Sequence, residues 1–161
     1  MVTVTGQTVT SGLGMEKIKK DMEKLLKMSV YVGVTEEKSP REGEAISNAQ
    51  LAYVHTNGSE LQKIPARPFL EPTIKANTEK IGKYMKEAGQ LIASGDIEGG
   101  KLKLEDIGLQ MATKTKDYFT DPNNGWAPNS LETIARKGSD KPLIDTGSLR
   151  TSISSVVVEN D

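Results

Sequence analysis

The chain has 161 residues, enough for one domain that buries roughly 68–70% of its unfolded surface without help from a metal or a disulfide. It contains no cysteine and a single histidine, His55, which excludes disulfide scaffolds, thiolate nucleophiles, cysteine-bound zinc and an all-histidine metal site within one chain. A formal net charge of −1 gives no global basic field to hold a nucleic-acid backbone, and no apolar run approaches the ~20 residues a membrane helix needs.

Residues 1–14 alternate threonine, valine and glycine, a pattern that predicts an extended N-terminal arm or edge strand. The same stretch lacks the charged and apolar regions of a signal peptide, so the expectation is a soluble protein made in the cytoplasm. Met15, Ile18, Met22, Leu25 and Leu26 recur at helical spacing between lysines and glutamates, predicting an amphipathic helix over 15–27. Val30, Val32 and Val34 then alternate with Tyr31 and Gly33, a strand signal, and the β-branched run 151–158 is its expected partner. After a polar loop at 38–43, Ala45, Ala49, Ala52 and Tyr53 mark a second helix with a small-residue face, ended by Asn57-Gly58. Pro72 sits where a first helical turn tolerates proline, and Ile74, Ile81, Tyr84, Met85, Ala88 and Leu91 predict one long third helix to about Ala93. Gly95, Gly99 and Gly100 are read as an interruption. Leu104, Ile107, Met111 and Tyr118 predict a fourth helix, inside which Gly108 costs about 1 kcal/mol.

The stretch 119–145, rich in proline, asparagine, glycine and lysine, predicts a long loop broken at most by a short helix at 130–136. Loops of this length in compact domains are usually functional or disordered. The elements together predict an α+β protein: an arm over 1–14, then a single domain over 15–161 with a small, mostly antiparallel sheet and three to four helices packed on one face. With aromatics at 4% of residues, the expected core is aliphatic and methionine-filled, with part of its stability drawn from subunit contacts.

The candidate functional residues cluster in two stiff segments. In Ile64-Pro65-Ala66-Arg67-Pro68-Phe69-Leu70-Glu71-Pro72, three prolines restrict φ and push the residues before them toward extended geometry, so Arg67 stands on a rigid backbone. Its planar fork suits a carboxylate or phosphate, in a neighbouring subunit, on DNA, or in an intrachain salt bridge that anchors the loop. Phe69 and Leu70 beside it fill either the core or an interface. Trp126 is the only tryptophan; it could anchor a partner or fold back over its own domain. Arg136, Lys137 and Lys141 make the long loop locally basic, which suits a lumen, an acidic neighbour or plain solvent. His55 has no serine, cysteine or acidic partner at helical spacing and is expected to lie near a helix C-terminus, where its charged form is favoured.

The second segment, at 142–149, contains Asp145-Thr146-Gly147 after Leu143-Ile144, the local pattern of an aspartic-protease half-site. Such a protease would need a flap and a second hydrophobic-glycine segment, for which only 14 residues remain. The plainer reading is a turn capped by Asp145 or Thr146, with Gly147 supplying an unusual φ before the next strand.

Ala52-Tyr53-Val54-His55 with Asn57-Gly58, then the proline segment, then Trp126-Ala127-Pro128, then the PLIDTGSLRTSI ending occur here in a familiar order. In that order they resemble bacteriophage virion-morphogenesis proteins, more narrowly the tail-completion and neck proteins of long-tailed phages, over roughly 30–158. The resemblance implies a non-enzymatic structural protein of the virion, made in the bacterial host cytoplasm. It would form a ring, commonly six-fold, that completes or terminates the tail or joins it to the head connector. Its partners would be copies of itself and adjacent neck, connector or tail-tube proteins, with DNA only a passenger through the lumen, and with no cofactor, metal or membrane. On this basis Arg67, Phe69, Leu70, Trp126, Leu143, Ile144 and Arg150 are the expected contacts between subunits or rings. The competing expectations are a dimeric aspartic protease built on Asp145 and a stand-alone DNA-binding module, the latter disfavoured by the charge balance.

Overall fold

The computed structural model describes residues 15–17, 19–20, 23, 27–41 and 43–159. The predicted arm at 1–14, and the apolar positions Ile18, Met22, Leu25 and Leu26 of the first predicted helix, lie outside the described residues, whereas those described between 15 and 27 are helical. Strand β1 (Met28–Val34) and a 3-10 turn (Glu36–Lys38) come next. Helices α1 (Asn48–Asn57), α2 (Leu70–Ala76), α3 (Thr78–Ala93), α4 (Ile97–Tyr118), α5 (Leu131–Lys137) and α6 (Ser148–Ser152) follow, and β2 (Ile153–Glu159) closes the fold.

The architecture is α+β, with β1 and β2 forming a two-stranded antiparallel sheet between the two expected segments, Val30 opposite Val157 and Val32 opposite Ser155, although β2 begins at Ile153 because Thr151 and Ser152 end α6. Because successive side chains alternate faces, Val32, Val34 and Ile153 turn toward the core while Tyr31, Val156 and Val158 are exposed on the other side. Helix α4 lies across the inner face. It comes so close at Gly108 that a Cβ there would stand 2.9 Å from Val30 Cγ1 and 3.0 Å from Ser155 Cβ.

Besides the helical residues between 15 and 27, the described residues form six α-helices, more than the three to four expected, for identifiable local reasons. The long third helix divides at Asn77 (φ −117°, ψ 15°), whose Nδ2 donates to the Thr73 carbonyl at 2.7 Å and closes α2. Pro72 falls in the first turn of α2, where its missing N–H has no intrahelical partner to lose. Gly99 and Gly100 do not interrupt the chain but begin α4. The Gly99 N–H is capped by the Asp96 carboxylate at 2.9 Å, and at Gly100 helix α3 approaches so closely that a Cβ would meet the Ile92 side chain. The α3–α4 hairpin is tied further by Lys103, whose Nζ lies 2.8 Å from Glu87 Oε2 and 4.8 Å from the Tyr84 ring centroid.

Helix α1 begins with a capping box between Ser47 and Gln50 and ends at Gly58 (φ 74°). Its inward face is Asn48, Leu51, Ala52 and His55; the predicted small-residue face is not the packed one, since Ala45, Ala49 and Tyr53 are exposed. The buried core is mostly aliphatic, as expected, with Ile92, Leu104, Ile107 and Ile153 among its members, but among the described residues Met111 is its one methionine and one cluster is aromatic. Phe69 and Phe119 meet at 4.9 Å between ring centroids, Trp126 stands edge-on to Phe119 at 5.5 Å and to Tyr118 at 5.7 Å, and Ala112, Leu149 and Ile153 complete the cluster. Few aromatics suffice because both phenylalanines and the tryptophan are concentrated in one place.

Candidate functional site

The stiff proline segment is folded back across the end of α1. Ser59 and Ile64 pair across a tight loop with Lys63 at φ 54°, and Gly58 is pressed so close to the backbone of Ile64 and Ala66 that a Cβ would sit 2.8 Å from the Ala66 nitrogen. The Arg67 N–H donates to the His55 carbonyl at 2.6 Å. Held there, the Arg67 side chain runs inward and its fork donates twice, from Nε to the Ala127 carbonyl and from Nη2 to the Pro128 carbonyl, both at 3.0 Å. In return Trp126 Nε1 donates to the Pro68 carbonyl at 2.9 Å.

Arg67 therefore does anchor the long loop, but through two backbone carbonyls and not through a salt bridge. It is 6% exposed, and burial lowers its pKa while leaving it a cation. Phe69 has no exposed surface at all, so its part is to fill the chain's own core. Leu70, Trp126, Leu143 and Ile144 are half-buried against the same cluster. Arg150 instead reaches the C-terminal end of α4, where Nε donates to the Lys116 carbonyl at 2.8 Å and Nη2 lies 3.8 Å from Asp117 Oδ1. All four stretches that carry the family resemblance thus converge on one another, since Leu149 and Ile153 enter the core beside Phe69, Ala52 and Trp126; Ser148 Oγ also donates to Asn48 Oδ1 at 3.2 Å, at the start of α1.

Beside Arg67 opens a cleft of about 920 Å³ whose apolar lining includes Leu51, Ile64, Leu143 and Leu149. Five cationic side chains, Arg41, Lys63, Arg67, Arg136 and Lys137, share it with only two carboxylates, Glu132 and Asp145. This crowding reverses one sequence expectation. The charged form of His55 is disfavoured, because burial first, then the charges of Arg67 and Lys137, lower its pKa; its buried Nδ1 has no hydrogen-bond partner. Burial also lowers the pKa of Lys137, opposed by Asp145 and reinforced by Arg67 and Arg136, while its Nζ donates to the Lys141 carbonyl at 2.7 Å.

Asp145 and Thr146 are exposed at this cleft's side of the molecule. Thr146 Oγ1 accepts from the Ser148 N–H at 3.3 Å and Gly147 takes φ 80°, the capped turn expected, although it leads into α6 before the strand begins. Among the described residues no group of three or more histidine, cysteine, aspartate or glutamate side chains could hold a metal ion, and no helix is long and apolar enough to cross a membrane.

A second surface escaped the sequence reading. On the outer side of α4, Leu102 and Leu109 are 56% and 63% exposed, and with Glu105, Asp106 and Val156 they border a shallow groove of about 590 Å³. The signal was present: α4 carries Leu104, Ile107 and Met111 on its buried face and two further leucines on another, more than one stripe can bury. Compared with protein-family models, with curated proteins and with solved structures, the chain matches none of them.

Proposed function

We propose that the chain is a structural virion protein that assembles into a ring at the phage neck or tail end, with no bond made or broken. The observation that carries this reading is the convergence of the four resembling stretches into one cross-tied unit: Arg67 on His55, Ala127 and Pro128, Trp126 on Pro68, and Leu149 and Ile153 packed with Phe69 and Ala52. Arg67 Nε and Nη2 and Trp126 Nε1 hold the long loop in place. A loop fixed in this way presents a constant shape to a neighbour, which an assembly interface requires because every mobile side chain ordered on binding weakens association. The half-buried Leu143 and Ile144, and the basic rim of the cleft, are the parts of this unit that remain available at the surface.

Particles made without the protein test the proposal. Unjoined heads and tails would place it at the junction, overlong tails would make it a terminator, and normal infectious particles would overturn it. Asp145→Asn in the same system separates the protease alternative, since on the present reading particle yield and the processing of virion proteins are unchanged.

A further inference from the structure

A closing ring needs two different, mutually complementary surfaces on each subunit. The molecule has two surfaces that share no lining residue and carry opposite character. The first is the cleft, apolar inside and cationic at its rim, where Arg136 and Lys137 crowd Arg67 and form no salt bridge among the described residues, with Asp145 and Asp140 offsetting the charge of Lys137 only in part. Apolar side chains flank it: Leu61, next to the lining residue Gln62, is 94% exposed, and Leu131, next to Ser130, is 85% exposed. The second is the outer ridge of α4, where Glu98, Leu102, Glu105, Asp106 and Leu109 follow one another at helical spacing, all exposed. Leu102 and Leu109 stand about 10 Å apart along the helix axis. Lys101 also borders this ridge, leaving it less acidic than the cleft is basic.

We infer that the α4 ridge of one copy docks in the basic cleft of the next, its leucines meeting the apolar cleft and flanks and its carboxylates meeting Arg136 and Lys137. The occupant is a second copy of this chain because the complement of each surface is present on the molecule itself, in both charge and apolar content. The contact is heterologous, cleft to ridge, so it propagates from copy to copy instead of stopping at a two-fold dimer. It also accounts for cations left unpaired beside one another: the neighbour's carboxylates relieve their repulsion and direct the encounter. This inference rests on the reading of the chain as a ring subunit and names the faces that would close the ring.

The test uses the purified full chain and native mass measurement with two charge-reversed variants, Arg136→Glu with Lys137→Glu in the cleft and Glu105→Lys with Asp106→Lys on the ridge. Each alone is expected to be monomeric with the wild-type circular dichroism spectrum. Mixed in equal amounts, they should associate again, since the unaltered cleft of one meets the unaltered ridge of the other and the reversed pair is itself complementary in charge; a folding defect would not produce that rescue. If the cleft double variant does not fold, Arg136→Glu alone, at an exposed position, should weaken self-association at least tenfold. Either variant assembling like wild type, or a mixture of folded variants that stays monomeric, overturns the contact. A wild-type chain that is monomeric at every concentration yet is needed to join heads and tails overturns the contact and leaves the ring reading in place. Assembly through these faces by a protein that particles do not need does the reverse.

Discussion

Arg67 is a cation 6% exposed, with two carbonyls and no carboxylate to hold. Hydrogen bonds to a charged donor contribute about 1.5–3 kcal/mol each, and both carbonyls belong to exposed residues that water can reach once the side chain is gone. Arg67→Ala is therefore expected to destabilise the monomer by about 2–3 kcal/mol in urea denaturation, and to shift the emission of Trp126, the only tryptophan, toward that of an exposed indole before unfolding. Arg67→Lys keeps the charge but loses the fork, so it should recover only part of the loss. His55 gives a pH dependence whose direction is fixed. Its folded-state pKa lies below the ordinary value, so as pH falls through about 6.5 the unfolded chain takes up a proton that the folded chain refuses, and stability falls. The contribution is whole above that pH and is lost below it. As the sole histidine, it should account for the drop in melting temperature between about pH 7.5 and pH 5.5, and His55→Gln should flatten that interval. An unchanged slope in the variant would assign the dependence to other groups.

At the scale of elements, glycine marks where helix and sheet approach each other. Alanine at position 108 would gain up to about 1 kcal/mol of helix propensity, but its Cβ would press on Val30 and Ser155 in a packed layer, and overpacking costs about 1–3 kcal/mol. Gly108→Ala should thus lower stability, whereas Gly82→Ala, inside α3 with nothing within 4 Å of the added methyl, should raise it by about 0.5–1 kcal/mol. Opposite shifts in melting temperature for the two variants would check the argument, and a shared sign would refute it. The contrast also explains what the sequence could and could not convey. Alternation in β1, the β-branched run of β2, the Asn57-Gly58 stop and the helix containing Leu104, Ile107 and Met111 were legible because each is a local pattern with a single physical cause. The break at Asn77 and the Asp96 cap on Gly99 are also local, over four and three residues, but carry no apolar period to announce them, and the close approach of Gly100 to Ile92 exists only once α3 and α4 have packed. The same holds for the site. Its residues were identifiable as a stiff arginine and a lone tryptophan, but that they grip each other's segments follows from contacts 58 to 61 positions apart.

Across the whole molecule, the chain's near-neutral charge conceals a separation of sign. The cleft holds five cations against two carboxylates, and the α4 ridge is acidic, so the molecule is polar from one surface to another although its formal charge is −1. Such an arrangement favours ordered association over indiscriminate aggregation, because like surfaces repel and only unlike surfaces meet. It also sets a dependence on salt. In sodium chloride at ~0.1 M, charges act over about 10 Å, the reach of a cleft rim; at ~1 M they act over about 3 Å, and only pairs already in contact interact. If the opposed charges guide assembly, the measured rate of self-association should fall by at least tenfold across this range, whereas dissociation, governed by the buried leucines, should change far less. Stopped-flow light scattering after dilution from mild denaturant reports both rates. A rate of association indifferent to salt would mean that the apolar surfaces alone bring the copies together, and that the basic rim of the cleft serves something other than a neighbour's acidic helix.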